Sequence, residues 1–69
     1  MMRTFNIGYY DPEGHMDETQ FDVEDGTFVA MFNELIRSFV QFCGETYGSA
    51  QGMCEINYIE EVQYDGEEE

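Results

Sequence analysis

Along residues 3–10 apolar and polar positions alternate, with Phe5, Ile7 and Tyr9 on one side and Thr4, Asn6, Gly8 and Tyr10 on the other. A period of two is the mark of a strand with one buried face. The stretch contains no Asp, Glu or Pro, which suits a central place in a sheet. Asp11-Pro12-Glu13-Gly14 then has the composition of a type I turn, with Pro setting φ at the second position and Gly accepting positive φ at the fourth. A second strand is predicted at about residues 16–24, with Phe21 and Val23 inward and Thr19, Gln20, Asp22 and Glu24 in the polar register. The two strands make a β-hairpin.

After Asp25-Gly26-Thr27, which ends the strand and offers side chains to cap a helix, the period changes to 3.6. At 100° per residue, Phe28, Val29, Met31, Phe32, Leu35, Ile36, Phe39, Val40, Phe42 and Cys43 fall in one arc of about 180°. Ala30, Asn33, Glu34, Arg37, Ser38 and Gln41 occupy the opposite arc. The pattern predicts a helix over 27–43 with Gly44 as its stop, or a longer one to Tyr47 ended by Gly48. One core needs an arc of only about 100°. The surplus apolar positions, Phe28, Val29 and Val40 among them, therefore either pack on loops or form a homodimer contact.

A Gly- and Ser-containing loop at 44–52 leads to a third predicted strand at 53–64, in which Cys54, Ile56 and Tyr58 alternate. Ile59 breaks the alternation and Val62 and Tyr64 resume it, which a β-bulge near Ile59-Glu60 would reconcile. A right-handed crossover through the helix makes strands two and three parallel to each other. The uncharged first strand then belongs between them, giving sheet order 2-1-3. The expected fold is α+β: a two-layer ββαβ sandwich, one amphipathic helix covering one face of a three-stranded sheet. One domain spans 1–64, and the acidic tail 65–69 is expected to fray.

Charge changes the picture more than any motif. The chain has 16 Asp and Glu against two Arg and no Lys, a formal net charge of -14. With six Phe and five Tyr it is too aromatic for a disordered acidic tail. Solubility alone asks for a net charge of roughly 2–8 in a small domain, and the excess implies a basic partner. In the predicted helix Glu34 and Arg37 cancel, so the carboxylates flank the sheet. Residues 11–25 supply Asp11, Glu13, Asp17, Glu18, Asp22, Glu24 and Asp25; residues 55–69 supply Glu55, Glu60, Glu61 and four acids of the tail. Spread evenly, this charge is about a third as dense as that of duplex DNA. An imitation of a phosphate backbone therefore requires that it be gathered on one side. The expected partner-binding set is Tyr10, Asp11, Glu13, Asp17, Glu18, Asp22, Glu24, Asp25, Glu55, Glu60 and Glu61.

Other chemistries find little support. One His, no Lys and two isolated serines, Ser38 and Ser49, offer no nucleophile–base pair, so no catalytic residue and no enzyme activity is expected. An EF-hand register fails: counted from Asp22 the sixth position is Thr27, and counted from Asp17 the fifth is Phe21. Cys43, Cys54 and His15 make a poor zinc set, so no metal or other cofactor is expected. No apolar run approaches the roughly 20 residues of a membrane span, and no signal peptide is visible. The two cysteines are accordingly read as reduced thiols in a cytoplasmic protein. Direct binding to nucleic acid or to an anionic membrane is opposed by the sign of the charge.

In size, charge and layout over the whole chain, the protein resembles small acidic inhibitors from phages and other mobile elements, of the anti-CRISPR and anti-restriction kind. That resemblance implies a DNA mimic acting in the cytoplasm of a host bacterium. Its partner would be a Cas effector or another nuclease, whose basic nucleic-acid groove it occupies. The resemblance carries no single residue across. Two other readings fit the same composition: an immunity- or antitoxin-like partner of a basic toxin enzyme, and a small accessory homodimer whose charge serves solubility.

Overall fold

A computed structural model describes residues 1–62. The alternating stretches form β1 (Met2–Tyr10) and β2 (Met16–Glu24), followed by helix α1 (Phe28–Tyr47), a 3-10 segment (Gly48–Met53) and β3 (Glu55–Glu61). The sheet order is β2-β1-β3, with β1 antiparallel to both neighbours. The fold is thus α+β with the anticipated topology. The predicted tail 65–69 and the last two positions of the predicted third strand lie outside the described residues.

The hairpin turn is built as its composition suggests. The Gly14 N–H donates to the Asp11 carbonyl at 2.9 Å, and Gly14 has φ +86°, which a side chain would resist. The Asp11 carboxylate accepts the backbone N–H groups of Glu13 and His15, each at 2.9 Å. These bonds favour the ionised form, led by that from His15, and hold the Asp11 pKa below its ordinary value.

The helix starts where Thr27 caps it, its hydroxyl accepting the Ala30 N–H at 3.2 Å. It does not stop at Gly44. It continues to Tyr47 and ends at Gly48, whose φ is +61° and whose N–H returns to the Gly44 carbonyl. The reason is tertiary. Tyr47 packs edge-on against Tyr9 at 6.3 Å, and the two hydroxyls share a hydrogen bond of 2.8 Å. That anchor offsets the roughly 0.5–1 kcal/mol that a glycine inside a helix costs. The extension brings Glu45 into the helix, so the helix is not neutral but carries one net negative charge.

Of the wide apolar arc only one i, i+4 row is buried: Met31, Leu35, Phe39 and Cys43. These meet Ile7, Tyr9 and Val23 from the sheet. Phe21 and Ile59 pack against both halves of this core. Tyr9 and Phe39 make an edge-to-face pair at 5.3 Å, and Phe42 packs edge-on to Phe21 at 6.0 Å. The helix approaches β2 more closely than β3, and this offset leaves the β3 side of the helix layer thinly covered.

The bulge in β3 sits earlier than predicted. Gly8 faces Tyr58 whereas Tyr9 faces Ile56, so Asn57 is the extra residue. Ile56 and Ile59 consequently share the helix side, and Tyr58 turns to the opposite face rather than inward with Ile56.

Candidate functional site

The helix covers one face of the sheet. The other is open, and strand alternation decides what it displays. From β1 come Met2, Thr4, Asn6, Gly8 and Tyr10. In register with these, β2 presents Glu24, Asp22, Gln20, Glu18 and Met16, while β3 presents Glu60, Tyr58 and Glu55. Two rows of carboxylates thus run along the outer strands, two strand spacings or about 10 Å apart, on either side of an uncharged centre.

The centre is cross-linked. Thr4 donates its hydroxyl to Asp22 at 2.6 Å, and Gln20 donates its amide to Asn6 at 2.8 Å. The longest link crosses the whole sheet: the Tyr58 ring lies flat over Gly8 and its hydroxyl donates to Glu18 at 2.5 Å. A Cβ on Gly8 would stand 2.1 Å from the ring, so only glycine admits this crossing. The Glu18 carboxylate raises the pKa of the Tyr58 phenol, because it binds the protonated form. These bonds hold Asp22 and Glu18 in place and leave their charge intact.

The expected binding residues divide accordingly. Glu18, Asp22, Glu24, Glu55, Glu60 and Tyr10 share the open face. Glu24 also meets the N-terminal ammonium at 2.8 Å. Asp11 is spent on the turn, and Glu13 stands at the turn tip, 3.6 Å from His15 Nδ1. Asp17 pairs with Tyr9 and so belongs to the helix-side row. Asp25 and Glu61 are held by Arg3: its guanidinium donates twice to Glu61, at 2.7 and 2.6 Å, and once to Asp25 at 3.1 Å. The fork–carboxylate pairing lowers the Glu61 pKa and raises that of Arg3. Arg3 thus offsets one of the two negative charges at this corner. That corner lies on the helix side, where Arg3 also reaches Met31 Sδ at 3.8 Å.

Two members of the face escaped the sequence reading. A bulge at Ile59-Glu60 leaves Tyr58 on the same side as Cys54 and Ile56, and the alternation of β1 marks Gly8 only as a position opposite Ile7 and Tyr9. The available signal was the glycine itself, since a Gly inside a strand often marks the close approach of another group.

On the helix side Phe28, Val29 and Val40 are exposed at 77%, 65% and 54%. Cys43 and Cys54 are free thiols, and Cys54 packs against the cluster that buries Cys43. Burial, with the neighbouring Cys54 thiol, pushes the Cys43 pKa up to about 12. Among the described residues no three His, Cys, Asp or Glu side chains converge on a metal-sized point, and no described helix is long and apolar enough to cross a membrane.

Compared with family models, curated proteins and solved structures, the chain matches none of them.

Proposed function

We propose that the chain is a non-enzymatic inhibitor whose open sheet face enters a groove lined with Arg and Lys, one that a bacterial defence nuclease uses to hold nucleic acid. The observation that carries this reading is the segregation of charge. Five carboxylates, Glu18, Asp22, Glu24, Glu55 and Glu60, share one cross-linked face to which neither Arg side chain belongs.

The spacing narrows the kind of groove. Along the strands the face extends about 26 Å, so its five carboxylates stand one per about 5 Å, and its four net charges, with the N-terminal ammonium on Glu24 counted, one per about 6–7 Å. Duplex DNA carries one per about 1.7 Å of axis, and each of its strands one per about 3.4 Å. The face is too dilute to imitate a duplex and has about half to two-thirds the charge density of a single phosphate strand. Tyr10 and Tyr58, both partly exposed, add the amphipathic contact area favoured at interface centres. With such a field, association is fast and weakens steeply as salt rises.

The test is DNA cleavage by a panel of purified Cas effectors and restriction nucleases, with and without the protein, at low and high salt. Asp22→Lys, Glu55→Lys and Glu60→Lys together reverse charge on the face. Glu13→Lys, Asp17→Lys and Glu45→Lys together make the same change in net charge elsewhere, at the turn tip and on the helix side. The first triple variant is expected to lose inhibition by about 100-fold or more while remaining folded; the second retains most of it. Equal effects from both would reduce the face to bulk charge, and undiminished inhibition by the first would eliminate the reading. Protection of cells only against a toxin encoded beside the gene would move the target to a toxin enzyme.

A further inference from the structure

The apolar arc of α1 is wider than the sheet beneath it, and the surplus gathers on the β3 side. There Phe28 stacks on Phe32, ring centroids 6.0 Å apart and planes 20° from parallel. Beside them lies a groove of about 310 Å³ between α1 and β3, lined by Phe5, Phe28, Met31, Phe32, Leu35 and Ile59, without a charged group. Val40 ends the i, i+4 row that starts at Phe28 and Phe32, about a third of a turn round the helix from Phe28 and on the side of Val29. Glu34 lies away from this stripe, beside Asp22, Glu24 and Asp25 of the β2 side. Glu45 is engaged by Gln41 at 3.2 Å, on that same far flank of the helix.

We propose that this stripe and groove are the contact through which two copies of the chain associate. Charge decides by which face two copies can meet. A second copy also carries -14, and the acidic sheet face repels it; the uncharged stripe is where the two can meet with their carboxylates turned outward.

Area agrees. Phe28 and Phe32, exposed at 77% and 42%, present together roughly 240 Å² if a whole Phe side chain offers about 200 Å². With Val29 and Val40 the exposed apolar area reaches roughly 400 Å². Homodimer interfaces are about 65% apolar, so a contact centred on this patch covers roughly 600 Å² per copy. That meets the lower bound of about 1,200 Å² in total for specific interfaces. Symmetry also suits: Phe28 projects beside its own groove, and a two-fold axis lets each copy's Phe28 enter the other's.

The experiment is sedimentation velocity on the full chain, from about 1 to 500 µM, at about 0.05 and 0.5 M NaCl. The mass is expected to rise from 8.1 kDa toward about 16 kDa, and the dimer to tighten with salt as repulsion between copies is screened. Salt thus acts in the opposite sense to its effect on a basic partner, which separates this inference from the function proposed above. Phe28→Asp with Val40→Asp is expected to weaken the dimer by at least about 100-fold, with the circular dichroism spectrum unchanged because both sites are exposed. If that variant unfolds, Val29→Ser is read in the same assay with a loss of about 10-fold expected. A wild-type chain that stays at 8.1 kDa at high salt and top concentration would overturn the proposal and assign the face to a different protein. A dimer indifferent to these substitutions would overturn it as well, by placing the contact elsewhere.

Discussion

Gly8→Ala tests the crossing of Tyr58 over the central strand, and its sign is expected to depend on the partner residue. Gly8 does not have a positive φ, so the backbone itself accepts alanine. The obstacle is the Tyr58 ring: a Cβ at Gly8 would stand 2.1 Å from Cε2, 2.3 Å from Cζ and 2.7 Å from Cδ2. Carbon atoms in contact normally keep about 3.5–4.0 Å, so the ring must swing away and release Glu18. Overpacking typically costs about 1–3 kcal/mol, and a surface ring that can move belongs at the lower end. Replacing glycine inside a strand returns about 0.5–1 kcal/mol. Losing the Tyr58–Glu18 hydrogen bond adds about 0.5–1.5 kcal/mol, so the net is a loss of about 1 kcal/mol, a fall in Tm of about 4–8 °C for a domain of this size. With Tyr58→Ala already made, the clash is gone and only the gain remains, so the same Gly8→Ala change raises Tm by about 2–8 °C. Thermal unfolding of the four proteins of this double-mutant cycle, followed by far-UV circular dichroism, measures the coupling directly. Equal decreases in both backgrounds, within about 0.3 kcal/mol, would refute the claim that the ring occupies the glycine.

Two further outcomes follow from the titratable groups. Arg3 lowers the folded-state pKa of Glu61, so this pairing adds stability above the unfolded carboxylate range, and the addition is lost as pH falls through the lowered value. Melting curves of wild type and Arg3→Met are therefore expected to differ by a constant amount above about pH 5 and to converge only as the pH falls below the ordinary carboxylate range; a gap that widens in acid would reverse the assignment. With its pKa raised from 9.0 to about 12, Cys43 holds roughly a thousandfold less thiolate than an ordinary cysteine. Native-state alkylation followed by mass mapping should modify Cys54 first and Cys43 only after denaturant; comparable rates in the folded protein would contradict the burial.

Period and punctuation in the sequence determined the element order, the hairpin, the Thr27 cap and the sheet order, because each rests on local chemistry or on the handedness of a crossover. Composition likewise announced an acidic protein. What it could not announce is which side each acid takes. A single inserted residue inverts every side chain beyond it, and moving the bulge from Ile59-Glu60 to Asn57 is what puts Tyr58 on the open face. Arg3 and Glu61 are 58 positions apart, and their pairing exists only once β1 and β3 are adjacent. Tyr47 joins the helix for the same reason, since its partner Tyr9 is a strand residue. The helix arc shows apolar width but not the offset toward β2 that leaves Phe28 and Val40 exposed. Local pattern decides what a segment becomes. Only the packed sheet and helix decide which of its charges and apolar groups stay free to meet a partner.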